Sequence, residues 1–285
     1  NYVDEKEKEL NMVFHFDHLQ IDFGPEGKFD PQPIDFLKFK KVFSDWDSLL
    51  RNKGWNSIFL GNHDFSRIVS RFGNDQKYRY ESAKLLATLL MTLRGTPYVY
   101  QGDEIGMTNV KYPSIDYYDD VETINAWKEA KGNNKNMDDF LKAVHRQSRD
   151  NARTPLQWND SKFAGFSRNK PWIDINSNYK KINVESEEDN PDSILNYYRE
   201  IIRIRKNNLT LIYGDFLDLE PDNEKLYIYK RWDKQKTFVV ILNFSDDKIL
   251  CDLNDLSSMI LVIGNYKKSV YDGSMDPWEA RVYSH

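Results

Sequence analysis

Asn62, His63 and Asp64 follow the apolar run Ser57-Ile-Phe-Leu60 and set an anionic acceptor beside a neutral donor. That pairing suits a ligand rich in hydroxyls. Asp64 can accept from two hydroxyls of a sugar ring while His63 donates to another, contacts that strengthen as charge develops in a glycosyl transition state. The competing reading is an Asp and a His that only cap the following helix, and the tripeptide alone leaves both open. Arg149 and Arg153 flank Asp150 in a polar stretch ending at Trp158. A guanidinium there can hold a carboxylate at two points, or form a surface ion pair of little consequence. Asp103 and Glu104 are adjacent on a turn, so they point apart and read as structural rather than as an acid/base pair. No His-and-carboxylate spacing suits a metal site.

These groups need a framework. Met12–Phe16 is a short apolar strand candidate, followed by the break Gly24-Pro-Glu-Gly27. From Ile34 to Lys53, Phe39, Val42, Trp46, Leu49 and Leu50 recur at helical spacing. Gly54 ends that helix, and the strand Ser57–Leu60 leads to Asn62. Leu86, Leu89, Leu90 and Leu93 give a second amphipathic helix from about Glu81 to Arg94, stopped by Gly95 and Pro97. Tyr98–Tyr100 is the next strand. Strand and helix in alternation indicate a parallel sheet. In an eight-stranded βα barrel, reactive side chains sit past the C-terminal ends of strands, where His15–His18, His63-Asp64 and Asp103-Glu104 fall.

Residues 111–172 form a long, polar, partly helical excursion, and excursions of that length in a compact protein are usually functional or disordered. Asn190-Pro-Asp-Ser193 caps a helix running to about Asn208. Beyond Leu209 the pattern shifts to short strands at Leu226–Tyr229, Phe238–Leu242, Ile249–Leu253, Ile260–Ile263 and Ala280–Tyr283, with Asp233–Lys236 as a hairpin tip.

Composition narrows the function classes. The 285 residues carry Lys+Arg 40 against Asp+Glu 45, a net charge of -5. Without a basic stripe, nucleic acid is not the expected partner. No apolar stretch approaches the roughly 20 residues of a membrane helix, so no membrane partner is expected either. Cys251 is the sole cysteine and reads as a small buried hydrophobe in a strand. Tyr 17, Phe 16 and Trp 7 supply rings that stack on sugars or fill a core.

Phe59-Leu-Gly-Asn-His-Asp-Phe-Ser-Arg-Ile-Val-Ser-Arg-Phe-Gly-Asn-Asp75 resembles the segment around the third catalytic Asp of glycoside hydrolase family 13, the α-amylase superfamily. The closest likeness is to its oligo-1,6-glucosidase, α-glucosidase and trehalose-6-phosphate hydrolase branch. Gly95–Asn109 is similar to that branch's last barrel strand, and Ser148–Trp158 to its loop before the final helix. Met12–His18 and Pro171-Trp172 also find counterparts. The resemblance covers the chain nearly end to end.

The resemblance implies an α/β fold: residues 1–208 as the C-terminal portion of a (β/α)8 barrel, about strands 6 to 8, and 209–285 as a small antiparallel β domain. It implies that Asp64 stabilises the transition state while His63 and Arg149 bind glucose. Glu122 and Phe16 would border the neighbouring subsite. Phe65-Ser66 stands where the family usually has Gln-Pro, which affects the detailed shape of the subsite. No cofactor is implied, and a family calcium site would lie upstream. The nucleophilic Asp and acid/base Glu belong to strands before Asn1, and neither the Arg-x-Asp nor the Gly-Glu motif stands where the family would place it. The expectation is a retaining α-glucosidase that acts on terminal α-linked glucose of short oligosaccharides, with this chain inactive alone. A trehalose-6-phosphate hydrolase, sucrose isomerase, trehalose synthase, non-catalytic interaction protein or free-standing sugar-binding module are the alternatives. A cytoplasmic location is favoured, and uncovered barrel edges would promote self-association.

Overall fold

The computed structural model describes residues 2–251, 253, 256, 258–267 and 272–285. A hairpin opens it, β1 (Phe23–Gly24) with β2 (Gly27–Pro31), turning at Gly27 with φ of +94°. Helix α1 (Phe36–Leu50) begins where Asp35 accepts from the Lys38 amide at 3.0 Å. Its buried stripe is Phe39, Phe43 and Leu50, while Leu49 from the expected apolar set is 55% exposed. Strand β3 (Ser57–Ile58) and helix α2 (Ile68–Phe72) follow, then α3 (Arg79–Thr92), which is buried almost all round. Its buried polar residues find partners inside the core: Thr88 Oγ1 donates to Lys84 O at 2.8 Å and Thr92 Oγ1 to Thr88 O at 2.6 Å.

Gly95 connects α3 to β4 (Thr96–Pro97) with φ of +136°, and an added Cβ would lie 2.5 Å from the Asn56 carbonyl oxygen. β4 pairs in parallel with β3, Ser57 opposite Thr96 and Ile58 opposite Pro97. The parallel ladder is shorter than the sequence suggested. Tyr98–Tyr100 is not a strand, although the Tyr98 amide still donates to Ile58 O at 2.8 Å. Met12–Phe16 is not a strand either. It is held beside β3 by one side-chain bond, from Ser57 Oγ to Val13 O at 2.6 Å, and no backbone ladder joins it. Phe14, Phe16, Tyr98 and Val99 are exposed along this open face, with the Phe14 and Tyr98 rings 4.8 Å apart.

The long excursion carries α4 (Val121–Gly132), α5 (Met137–Gln147) and α6 (Asp150–Arg153). After α7 (Val184–Glu188), Ser193 caps α8 (Ile194–Lys206) by accepting from the Asn196 amide at 3.1 Å. Helix α9 (Leu209–Tyr213) leads into β5 (Asp215–Asp218), β6 (Leu226–Trp232) and β7 (Thr237–Asn243). Then come β8 (Ile249–Leu250), β9 (Ile260–Gly264), β10 (Ser274–Met275) and β11 (Ala280–Ser284). The main sheet is antiparallel in the order β5-β6-β7-β11-β9, and β8 pairs with β10. Asp233 closes the β6–β7 hairpin by accepting from the Gln235 and Lys236 amides. β8 is shorter than the expected Ile249–Leu253 strand, within which Asp252 lies outside the described residues. Cys251 is buried just after β8.

One apolar core runs from α3 into the sheet, joining Leu86, Leu89 and Leu90 to Tyr229, Phe238 and Val240. Two buried arginines stitch the same junction. Arg231 donates to the carbonyls of Leu211, Thr210 and Gly214 at 2.8, 3.2 and 2.8 Å, and also to Thr92 O. Arg205 donates to Met91 O and Leu93 O at 2.7 and 2.9 Å. Together they satisfy the carbonyls of Met91, Thr92 and Leu93, which the end of α3 leaves without intrahelical partners.

Candidate active-site residues beyond the end of β3

The chain leaves β3 through Phe59-Leu-Gly61, and Asn62 then turns it. Asn62 Oδ1 accepts from the Asp64 amide at 2.8 Å, a side-chain-closed turn that projects His63 and Asp64 outward. Their side chains are 69% and 42% exposed. His63 Nε2 lies 3.2 Å from Asp64 Oδ2. They do not cap α2 (Ile68–Phe72), whose N-cap position is Arg67 and which has no side-chain cap.

Arg149 and Arg153 stand one helical turn apart at α6 and therefore share a face. Arg153 Nη2 lies 3.0 Å from Asp64 Oδ1, and its Nε donates to His63 O at 3.0 Å. Arg149 Nη1 lies 3.6 Å from the same Asp64 oxygen. Neither arginine grips Asp150. That carboxylate is buried and accepts from the amides of Asp119 and Asp120 at 2.8 and 2.9 Å. Burial pushes the Asp150 carboxyl up, and those two amide bonds only partly oppose it.

Arg67 fixes α6 against the Asn62–Asp64 turn. Wholly buried, it donates from Nε to Asn151 O at 3.0 Å and from Nη1 to Gln101 O, while its own amide donates to Asn109 Oδ1 at 2.8 Å. Tyr100 adds a bond from its hydroxyl to Ala152 O at 3.1 Å. Asp103 and Glu104 support this loop rather than the exposed cluster. Glu104 accepts from the Gly102 amide at 2.8 Å. Burial raises Asp103 to about 7, with Arg67 pulling the other way.

Glu122 sits in the first turn of α4, 2.7 Å from Lys28 Nζ and 3.4 Å from Arg149 Nε. Lys28 also donates to Asp64 O at 3.4 Å and lies 5.5 Å from the Phe65 ring centroid. Burial lowers the Lys28 ammonium, partly offset by Glu122. The Phe16 ring, 43% exposed, lies 5.7 Å from Phe59 and 6.4 Å from Phe65. Asp64, His63, Arg149, Glu122 and Phe16 thus gather around one surface, although they come from the start, middle and far side of the barrel-like portion.

The sequence singled out neither Lys28 nor Asp120, and it set Arg153 beside Asp150 rather than on Asp64 and the His63 carbonyl. Asp120 carries a readable signal, an Asp before a helical run, because its carboxylate accepts from the amides of Glu122 and Thr123. Lys28 offers none, being one lysine after a glycine turn. Among the described residues no group of His, Cys, Asp and Glu could hold a metal ion, and no helix is long and apolar enough to cross a membrane.

A parallel pair, β3 with β4, joined through helices and carrying charged side chains past its C-terminal end, is the pattern of a βα unit, as found in βα barrels. The model of the α-amylase catalytic domain matches residues 1–214. An oligo-1,6-glucosidase of Parageobacillus thermoglucosidasius is 44% identical over 290 residues, covering 99% of this chain and 52% of that protein. Isomaltulose synthase from Klebsiella sp. LX3 superposes with a TM-score of 0.94 at 37% identity, covering 99% of this chain and 52% of that one. The trehalose-6-phosphate hydrolase of Bacillus licheniformis does so with a TM-score of 0.94 at 38% identity, covering 99% and 53%. The chain belongs to the α-amylase family, glycoside hydrolase family 13. Its fold is the C-terminal part of that family's (β/α)8 barrel with an antiparallel sheet after it. The chain spans about half the length of the curated relatives it matches.

Proposed function

We propose that this chain supplies the sugar-binding side of a retaining α-glucosidase site, acting on terminal α-1,6- or α-1,4-linked glucose of short oligosaccharides. The observation that carries this reading is the convergence of Arg153, Arg149 and His63 on Asp64 beyond β3. Asp64 stabilises the oxocarbenium-like transition state, and His63 and Arg149 hold glucose hydroxyls. Glu122 and Phe16 border the adjoining subsite. Both exposed carboxylates already have cationic partners, an arrangement suited to binding rather than to delivering a proton to a leaving group.

Double displacement needs a nucleophile and an acid/base carboxyl about 5 Å apart on either side of the scissile bond. Those two groups come from the other part of the barrel, so the chain alone does not turn over substrate. The names of the similar proteins support glucose-containing oligosaccharides as substrates, and no cofactor is required. The solved isomaltulose synthase and trehalose-6-phosphate hydrolase favour a second reading, in which the same site isomerises sucrose or cleaves a phosphorylated disaccharide.

The test uses a protein that joins this chain to the preceding barrel half. Isomaltose hydrolysed with retained anomeric configuration, followed by NMR, is the expected result. Inverted product overturns the mechanism, and turnover confined to sucrose or trehalose 6-phosphate selects the second reading. The open face at Phe14 and Tyr98 supports self-association of the chain taken alone, and a monomer in sedimentation at tens of micromolar would remove that expectation.

A further inference from the structure

Asp120 stands immediately before α4, its side chain fully buried, while Asp64 and Glu122 nearby are 42% and 43% exposed. One of its oxygens, Oδ1, accepts from Arg149 Nε at 2.8 Å and lies 2.5 Å from Arg149 Nη2. The other, Oδ2, accepts from the Thr123 hydroxyl at 2.7 Å and the Thr123 amide at 3.2 Å. Asp150 returns the contact by accepting from the Asp120 amide at 2.9 Å. The segments 119–120 and 149–150 are therefore clamped from both sides. Held through Nε and Nη2, Arg149 has Nη1 left to face Asp64, at 3.6 Å.

We propose that Asp120 is a positioning residue of the sugar site, fixing the Arg149 guanidinium so that its Nη1 is presented beside Asp64 to a glucose hydroxyl. This rests on the glucosidase reading above. Asp120 is too deeply buried to touch the ligand and acts through Arg149. An unrestrained arginine loses much rotamer freedom when a ligand captures it, and a partner that orders it beforehand removes that cost from binding. Burial alone would push the Asp120 carboxyl up, but bonds from Arg149 and Thr123 outweigh it and hold the group below its ordinary value. The same bond raises Arg149.

A plain helix cap predicts something different from a positioning residue. Asparagine caps helices as well as aspartate does, so Asp120→Asn keeps the cap and removes the charge that grips Arg149. Asp120→Ser is a second uncharged cap should the first variant fold poorly. Glucose is titrated calorimetrically into the 285-residue chain, Asp120→Asn, Arg149→Ala and the double variant. The dissociation constant should rise about tenfold in each single variant, as expected for losing one charge-assisted bond, and no further in the double variant. In NMR spectra the Arg149 Nε–H should exchange with solvent at least about tenfold faster in Asp120→Asn than in the wild type. Unchanged affinity, additive effects or an unaltered Arg149 signal overturns the positioning role. A wild-type chain that takes up no glucose overturns the ligand part of this inference, and the glucosidase reading is decided separately by turnover of the joined protein. The Arg149 signal then decides separately whether Asp120 holds that side chain.

Discussion

Arg153 and Asp64 meet at 3.0 Å although 89 residues separate them in the chain. The same guanidinium donates from Nε to the His63 carbonyl oxygen at 3.0 Å, so one side chain reads both the backbone and the carboxylate of the turn. Lysine offers one charged point and no fork. Arg153→Lys should therefore disturb the turn more than it disturbs folding. Glucose affinity, read by calorimetry, should fall about tenfold, while unfolding free energy in urea should change by less than about 1 kcal/mol because the pair is partly solvated. Unchanged affinity would show that the fork is incidental.

Arg231 invites a stability test. Its donors serve the carbonyls of Leu211, Thr210, Gly214 and Thr92 where the last barrel-like helix meets the sheet. Methionine fills similar space without donors and removes the Arg231 bond from Thr92 O and Gly214 O, while Leu211 O keeps Arg205 and Thr210 O keeps the Gly214 amide, each at 2.9 Å. Arg231→Met should cost about 3 to 5 kcal/mol, visible as a lower urea midpoint. A loss below about 1 kcal/mol would mean that water replaces the guanidinium.

Part of the acid sensitivity should trace to His15, beside His18, whose ring is also held well below its ordinary value by burial. The His15 ring is buried, stacked on Trp46 at 4.3 Å, and burial lowers it to about 4, with Asp17 partly offsetting that. The folded value lies below the unfolded value of 6.5, so the unfolded chain takes up a proton that the folded chain refuses. The associated stability is complete above pH 6.5 and is lost as pH falls towards 4. Between pH 7 and pH 5 that amounts to about 2 kcal/mol. His15→Gln should reduce the pH 7 to pH 5 loss by a comparable amount in urea titrations, and an identical loss in both proteins would contradict the assignment.

The helices α3 and α8 and the β6–β7 hairpin were legible because apolar spacing and caps are local properties. The ends of α1 differ from expectation by a few residues. Its true buried stripe, Phe39, Phe43 and Leu50, competes with a second apolar row through Leu49 that faces solvent. Met12–Phe16 and Tyr98–Tyr100 read as strands because both are short apolar runs. A strand also needs a neighbour, and the parallel ladder closes only over Ser57–Ile58 and Thr96–Pro97. At the candidate site, Asp64, His63 and Arg149 could be named from motifs. The pairings of Asp120 with Arg149 and of Lys28 with Glu122 could not, since the partners lie 29 and 94 positions apart and no periodicity encodes them, although Asp120 is readable as a helix cap.

The role of Asp64 in stabilising a glycosyl transition state is tested by the turnover of isomaltose by Asp64→Asn in a protein that joins this chain to the preceding barrel half. The substitution keeps the shape of the side chain and removes its charge. The expected kcat is lower by on the order of 10³-fold, with glucose affinity changed far less. Turnover within a few-fold of the wild type would contradict it.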